Sequence, residues 1–386
     1  MPRPVNTQWH IVVNSHAGAG HGHDLVKTLI RMIADHDIDY AVHETQTAND
    51  GLRVAKAMVR NTSVHLPYSV IAVVGGDGTL HDLVNGIMQL EPHATTRGIR
   101  FALIPSGTAN AVYHSLFPET CKDPHNFDRF LSVKEALKEP PASVAPLSIC
   151  RISANPNNHG TSKPSYACVV ASTCLHANIL ETASTPEMRK LYPGVERFQK
   201  AAEQHLGTAY SAKLTLHPVT SQFPRIHRWS IEHDQWEGLS PESMVIQGKF
   251  AYFVSALVDR FETAFRIAPY SSPVQGRPAE AVDIVLVRYK EDASEQENAH
   301  RLVSVLMAAY KDGEHLSLTE EKDGKKVPIV EYYRVGGFEW QPLDEAAKLI
   351  CLDGATSRLA QGSALKSEVV LQGGSGIDAD VFSVFC

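Results

Sequence analysis

Asp77 stands among glycines in VIAVVGGDGTLHDLVNGI, residues Val70 to Ile87. An apolar run stops at Gly75-Gly76-Asp77-Gly78, and a helical pattern with Leu80, Val84, Ile87 and Met88 on one face begins at once. Two more apolar runs end the same way: HIVVN, His10 to Asn14, passes into SHAGAGHG, and GIRFALIP passes into SGTANA. Glycine lets backbone approach a ligand closely and leaves N–H donors bare. A helix that starts at such a point adds its unpaired amides and the positive end of its dipole, which together favour an anion. A single junction of this kind is a tight turn. Three at the ends of strands, one of them carrying an acid, point to a phosphate site. A carboxylate beside phosphates repels them unless a cation or a proton transfer is involved. Asp77 is therefore a candidate magnesium ligand or a candidate base for an attacking hydroxyl. Asp is also common at helix N-caps, and that alternative stays open at this position. Neither the P-loop ending Gly-Lys-Ser/Thr nor the Rossmann Gly-x-Gly-x-x-Gly is matched here, which disfavours ordinary P-loop kinases and dehydrogenases.

The elements that carry these junctions alternate. Leu25, Leu29, Met32 and Ile33, and then Leu52, Ala55, Met58 and Val59, repeat at helical spacing between the runs HIVVN, DYAVHET, SVIAVV and GIRFALIP. Strands alternating with helices predict a parallel sheet covered on both faces, with ligands bound beyond the carboxyl ends of its strands. After about Val144 extended segments dominate: APLSICRI, YACVVAST, AKLTLHPV, KFAYFVSALV, AVDIVLVRY, PIVEYYRVGGFEW, KLICLDG and EVVLQ. Helical stretches are expected near Glu187 to His205 and Asn298 to Lys311, and the segment Pro218 to Gly248 lacks a clear period and reads as an insertion loop. The fold class is thus α/β plus β: a parallel α/β nucleotide-binding domain over 1–144, then a β-rich, sandwich-like domain with helical insertions over 145–386.

The chain has 386 residues, more than one core normally serves, which agrees with two domains. Its net charge of −7 and lack of a long basic run argue against nucleic acid as a partner. Cys121, Cys150, Cys168, Cys174, Cys351 and Cys386 form no Cys-x-x-Cys pair and read as reduced thiols. The first residues, MPRPVNTQWH, lack the apolar core of a signal peptide and the Gly that myristoylation requires, and no apolar run is long enough to span a bilayer. The expectation is a cytoplasmic protein, peripheral on membranes, with a lipid substrate met at a membrane surface.

VVGGDGTLHDLVNGI, IVVNSHAGAGHG and LIPSGTANAV resemble the three nucleotide-site motifs of the diacylglycerol kinase and sphingosine kinase superfamily of lipid kinases. The resemblance runs from about His10 to Gly354 and is greatest toward the sphingosine and ceramide kinase branch. EMRKLYPGVERF resembles that branch's helical stretch with two arginines, FRIAPYSSP and VEYYRVGGFEWQP resemble its later strands, and CLDGA stands where the family has Asp-Gly-Glu. NAD kinases share Gly-Gly-Asp-Gly-Thr but lack this second domain. The resemblance implies ATP and Mg2+ as cofactors and phosphoryl transfer to the hydroxyl of a sphingoid base, ceramide or diacylglycerol, with the second domain binding lipid. It implies that Gly75, Gly76, Gly78 and Thr79 cradle phosphates, and that Asn14, Thr45, Ser106, Gly107, Thr108 and Asn110 line the nucleotide. Arg189 and Arg197 are implied to reach phosphate oxygens, and Asp77 and Asp353 to be the catalytic and metal-binding acids. On a solvated helix face the two arginines would have no such task.

Several positions depart from the family pattern. The first loop, NSHAGAGHG, lacks the usual Pro after the Asn and has His16, His21 and His23 in place of a basic residue, Ala355 replaces the Glu of Asp-Gly-Glu, and VQGRP at Val274 to Pro278 replaces an Asp-Gly turn. In STCLHANIL, Asn178 stands where sphingosine kinases carry an Asp suited to a cationic amine, with His176 nearby. A neutral amide there favours a neutral lipid, unless Asn178 only caps its own helix or turn. The second expectation, beside an active lipid kinase, is therefore a catalytically impaired homologue that binds nucleotide or lipid.

Overall fold

The computed structural model describes residues 8–18, 20–36, 38–47, 50–61, 68–90, 98–123, 125–138, 143–155, 163–219, 224–272, 274, 276–370 and 382–386. The chain divides into two compact units, Met1–Ser148 with Leu371–Cys386, and Ile149–Val370. The boundary expected at 144/145, with the whole tail in the second domain, differs from this division, in which the final strand belongs to the first unit.

The first unit is a six-stranded sheet. Strands β1 (Trp9–Val13), β2 (Tyr40–Glu44), β3 (Tyr68–Gly75) and β4 (Gly98–Pro105) run parallel in the order β2-β1-β3-β4. The last strand, β21 (Phe382–Phe385), adds parallel to β4, and β5 (Val144–Pro146) closes the edge antiparallel to it. Helices α1 (Gly22–Ala34), α2 (Gly51–Asn61), α3 (Asp77–Met88), α4 (Ala111–Leu116) and α5 (Leu131–Ala136) occupy the connections. On one face Trp9, Ile11, Val13, Ala72, Val74 and Ile104 pack against Val26, Leu29 and Ile33 of α1 and Val133 of α5. Valine-rich strands buried on both faces are what a parallel sheet requires. Strands β1 to β4 end at one edge, and the glycine-bearing loops after β1, β3 and β4 leave from it.

The second unit is antiparallel and β-rich. β6 (Cys150–Asn155), β7 (Ser165–Ala167), β8 (Val170–Thr173), β9 (Tyr210–His217), β10 (Ile226–Ser230), β11 (Gln235–Ser240), β12 (Met244–Ala256), β13 (Val282–Arg288), β16 (Val330–Val335), β17 (Gly337–Pro342), β18 (Leu349–Leu352), β19 (Ala355–Arg358) and β20 (Ala364–Val369) form one 13-stranded network. β14 (Thr319–Lys322) and β15 (Lys325–Pro328) form a separate hairpin. β12 is the spine: its first half pairs with β9, and its second half with β13 and with β8. Ile152, Leu214, Phe253, Leu286, Val335 and Leu365 enter one apolar cluster, so the inner faces of distant strands meet. Helices α6 (Cys174–Ala183), α7 (Pro186–Leu191), α8 (Glu196–His205) and α9 (Glu295–Ala309) are set between strands.

Three local expectations change. Pro218 to Gly248, read as a loop, holds the β10–β11 hairpin and the start of β12, with residues 220–223 outside the described residues. The hairpin is closed by the cross-strand pair Trp229–Trp236, edge to face at 5.5 Å. Its polar pattern reflects β11's place at the sheet edge, where only Ile226 of β10 enters the core. PIVEYYRVGGFEW makes two strands, parted at Gly336, that pair with different neighbours. Helix α6 was not anticipated. It follows β8 without a turn residue and opens on Cys174 at φ 58°, a left-handed conformation few side chains adopt.

Candidate active site

The loops at the carboxyl edge of the first sheet are tied to one another through backbone. The Asn14 N–H donates to the Val74 carbonyl at 3.0 Å, and the Ser106 N–H to the Gly75 carbonyl at 2.9 Å. Gly76 and Gly107 lie face to face: a Cβ on Gly107 would fall 2.6 Å from the Gly76 Cα. Gly18, at φ 55°, sits so close to Ser106 that a Cβ would fall 2.2 Å from its carbonyl oxygen. No side chain fits at these contacts, which accounts for glycine in all three loops. By contrast Gly78, in the first turn of α3, is exposed and has nothing within 4 Å of a Cβ position.

Side chains complete the edge. Asn14 Nδ2 donates to Thr79 Oγ1 at 3.1 Å, and Asn14 Oδ1 accepts the His16 N–H. Asn110, left-handed at φ 55°, closes the third loop on itself. Its Oδ1 accepts the Gly107 N–H at 2.9 Å, and its Nδ2 donates to the Gly107 carbonyl at 3.0 Å. The Ser106 hydroxyl is buried here and has no hydrogen-bond partner among the described residues, a condition that costs stability unless a ligand or water completes it. Thr108 is exposed. Thr45 is buried at the end of β2, where its N–H donates to the Val13 carbonyl at 2.9 Å.

Asp77 is not the cap of its own helix. The cap position of α3 is Gly76, and Asp77 is the first helical residue. Its carboxylate instead accepts the Ala111 N–H at 2.8 Å and the Val112 N–H at 3.1 Å, the first amides of α4. The cap residue of α4, Asn110, makes no capping bond because its side chain is turned toward Gly107. Asp77 thus supplies α4 with the acceptor its own cap lacks, across 34 residues of chain.

In the second unit Asp353 and Gly354 form the two-residue turn between β18 and β19, both with positive φ, the geometry for which Asp-Gly is favoured. The Asp353 carboxylate accepts the N–H groups of Cys168 at 2.7 Å, Val169 at 2.9 Å and Val170 at 2.7 Å. It therefore holds the bend between β7 and β8, the strand that leads into α6. Ala355, just beyond the turn, is exposed. On α6, His176 Nδ1 is 2.7 Å from the Ser172 hydroxyl, and its ring packs against Phe261 and Tyr252 at 5.1 and 6.2 Å. Burial pulls the His176 imidazole down to about 4, so it is neutral near pH 7. Asn178, in the middle of α6, donates through Nδ2 to the Cys174 carbonyl one turn back at 2.8 Å. Arg189 and Arg197 lie on successive helices, α7 and α8, and donate to the Ser184 and Gly194 carbonyls. Burial, and then the Arg189 charge, lower the Arg197 guanidinium from its ordinary value.

The sequence-derived set therefore falls into separate groups. Asn14, Gly75, Gly76, Asp77, Gly78, Thr79, Ser106, Gly107 and Asn110 gather at one sheet edge, with Thr45 at the end of the outer strand. Asp353 with the 168–170 bend, His176 with Asn178, and the arginine pair belong to the second unit. Sequence reasoning missed Ser172, which orients His176, although its i,i+4 spacing in STCLH was visible. It also missed Asp50, which holds the Gln46 N–H and the Arg53 guanidinium in the loop after β2.

Comparison with known proteins adds the following. The family model "Diacylglycerol kinase catalytic domain" matches residues 8–136, the stretch that carries all three glycine loops. Sphingosine kinase B of Dictyostelium discoideum is 27% identical over 118 residues, 30% of this chain and 15% of that protein. Human sphingosine kinase 1 is 26% identical over 117 residues, 30% of this chain and 29% of its own length. Human mitochondrial acylglycerol kinase is 41% identical over 51 residues, 13% and 12% of the two chains. The chain thus spans less than a third of each of these relatives. Among solved structures, a diacylglycerol kinase of Bacillus anthracis str. Sterne superposes with a TM-score of 0.55 at 16% identity, covering 97% of this chain and 96% of that one, a likeness of fold. Residues 8–136, with all three motif loops, thus match the diacylglycerol kinase catalytic domain, and over that stretch the chain is similar to sphingosine kinases.

Proposed function

We propose that the protein is an ATP-dependent lipid kinase that transfers the terminal phosphoryl group of ATP to the hydroxyl of a long-chain lipid. The observation that carries this reading is the first-unit edge: bare backbone at Gly78, the N-terminus of α3, and the buried, unpartnered Ser106 hydroxyl beside Asp77's loop. A helix N-terminus with an exposed glycine in its first turn and a buried hydroxyl nearby suits phosphate oxygens. In the reaction the lipid oxygen bonds to the terminal phosphorus and the bond to the bridging oxygen breaks. ADP leaves with that electron pair, and the hydroxyl proton passes to a carboxylate. We assign that carboxylate to Asp77, whose two amide contacts fix its direction. Asp353, with three amide donors on its oxygens, is assigned to hold the 168–170 bend. Arg189 and Arg197 are near enough for the Arg189 charge to lower the Arg197 guanidinium, and we assign them to phosphate oxygens.

Magnesium supplies neutralisation of phosphate charge when bound. Among the described residues no group of three or more His, Cys, Asp or Glu side chains gathers. Asp77, together with nucleotide phosphates, fits the one or two carboxylates that this ion accepts. For the acceptor we favour a neutral lipid such as ceramide or diacylglycerol, because Asn178 and a neutral His176 offer no negative charge to a sphingoid amine. No helix among the described residues is long and apolar enough to cross a membrane, and we place the reaction at a membrane surface.

The test is phosphate transfer by the purified protein with ATP and magnesium to ceramide, sphingoid base, diacylglycerol or monoacylglycerol in mixed micelles. One lipid phosphorylated supports the reading; ATP binding with no transfer to any lipid overturns it in favour of an impaired homologue. Ala355 favours that second reading, since it puts a methyl group where the family has a carboxylate. Ala355 is exposed, so Ala355→Glu fits without repacking. A large gain in turnover would show the site to be crippled by that change, and no gain would show that it works without the second acid.

A further inference from the structure

We propose that the last strand, β21, positions the third glycine loop through Ser132, which makes Ser132 a positioning residue for the bound nucleotide. The nucleotide part of this inference rests on the kinase reading; the positioning part rests on the contacts alone. β4 ends at Pro105, and Ser106, Gly107 and Asn110 of the loop follow at once. On one side β4 is held along its whole length, because its register with β3 runs from Tyr68–Gly98 to Gly75–Pro105. On the other side the ladder stops early. Phe382 pairs with Ile99, Ser383 with Arg100 and Val384 with Phe101, and no pair with β21 follows. Backbone groups of a strand face the two sides alternately, so Leu103 and Pro105 present theirs on this side, past the end of the neighbouring strand.

Two side chains of the segment that enters α5 stand in for the missing strand. Ser132 Oγ accepts the Leu103 N–H at 3.1 Å and donates to the Phe385 carbonyl at 2.7 Å. Arg129 donates to the Pro105 carbonyl at 2.6 Å, with its guanidinium 4.9 Å from the Phe127 ring. Ser132 is fully buried. Its single hydroxyl proton goes to Phe385, which leaves the oxygen lone pairs turned to Leu103. β21 therefore fixes the direction of the hydroxyl, and the hydroxyl fixes the base of the loop. The strand has its own anchors: Phe382, Val384 and Phe385 are buried, Phe382 stacks on Phe101 at 5.6 Å, and the Cys386 carbonyl accepts the Ser143 hydroxyl at 2.6 Å. A shift of β21 reaches Leu103 through two hydrogen bonds. Across the loop, the Ser106 N–H to Gly75 bond holds the β3 side, so loosening the Ser132 side tilts the loop instead of releasing it. Displacements of about 1 Å at a phosphate-binding loop are enough to lower affinity.

The test is amide hydrogen exchange of the full chain without ligand, beside calorimetric titration with ATP and magnesium. In Ser132→Ala, exchange should rise at residues 103–110 and stay as in wild type at β1 and β2, and ATP affinity should fall about 3–10-fold. Val384→Ala loosens β21 without touching Ser132 and should move both readings in the same direction. Ser383→Ala, on a half-buried side chain of the same strand, should move neither. In turnover, Ser132→Ala should raise the KM for ATP and leave the KM for lipid unchanged. Unchanged exchange at 103–110 in Ser132→Ala would overturn the proposal, since the hydroxyl would then hold nothing. A rise spread equally over β1 to β4 would overturn it too, since the role would be stability of the whole sheet. A loosened loop with unchanged ATP affinity would remove the nucleotide part. If the wild type binds no ATP but the exchange pattern is as expected, the positioning of the loop stands and the kinase reading falls. If a lipid is phosphorylated and Ser132→Ala changes nothing, the reverse holds.

Discussion

Replacing Asp77 by Asn is the natural way to disable the proposed base, and the structure predicts that it does more than that. The carboxylate is an anion at the N-terminus of α4 and accepts two of its amides. Hydrogen bonds to a charged group contribute about 1.5–3 kcal/mol each, and an anion at a helix N-terminus adds about 0.3–1 kcal/mol. Asn keeps one acceptor oxygen and turns an NH2 group toward the other amide, so one bond and the charge are lost. The expected destabilisation is about 2–4 kcal/mol, or a fall in midpoint of roughly 5–10 °C for a unit of this size. Thermal unfolding of wild type and Asp77→Asn, followed by near-UV circular dichroism, measures it, with turnover assayed well below both midpoints. Loss of turnover with an unchanged midpoint would refute the capping role and leave Asp77 as a purely chemical group. Loss of both would mean that the inactivity of this variant cannot alone establish a base.

Three further outcomes follow from particular contacts. Gly107→Ala puts a methyl group against the Gly76 Cα, and nucleotide affinity measured by calorimetry should fall about tenfold or more, because one backbone segment must move; unchanged affinity would detach these loops from nucleotide binding. Asp353→Ala leaves three amide donors of the 168–170 bend without their acceptor, and should cost about 3–5 kcal/mol in urea unfolding; a cost under about 1 kcal/mol would show that the bend holds itself. His10, buried on β1 and 3.1 Å from His43, is held down to about 4, first by burial and then by the neighbouring imidazole. The unfolded chain takes up this proton near 6.5 and the folded chain only near 4. The stability is therefore present above about pH 6.5 and lost as pH falls toward 4, by up to about 3 kcal/mol. His10→Gln should flatten that dependence, and an unchanged pH profile would refute it.

The glycine loops also impose a constraint on repair of the site. Gly18, Gly76 and Gly107 serve close backbone approach, while Gly78 serves openness. Of these four, only Gly78 has room for a side chain. Substitutions at the first three should disturb how the loops pack, and at Gly78 how they bind.

Much of the first unit was legible in the sequence. Val70 to Gly75 and Gly98 to Pro105 are nearly continuous apolar runs, and the helical spacing of Leu25, Leu29 and Ile33 or Leu80, Val84 and Ile87 marks helices that cover them. Period and turn chemistry are local properties, and a parallel sheet places the ends of its strands at one edge whatever the details. The glycine junctions are therefore placed at one sheet edge by the sequence pattern alone. In the second unit the same reasoning reached strands such as Val282 to Arg288 but took an edge hairpin for a loop and missed α6, whose start is signalled by no capping residue.

Tertiary structure alone decided what the two acids hold. Asp77 serves amides 34 and 35 residues away, and Asp353 serves amides 183 to 185 residues away. It also decided that Phe382–Phe385 joins the first sheet beside β4. Each of these depends on which distant backbone donors a short polar or apolar segment meets once the sheets have formed. A hydrogen bond leaves no periodic trace in the sequence on either side, whereas burial of a helix or strand face writes itself into the spacing of residues along it.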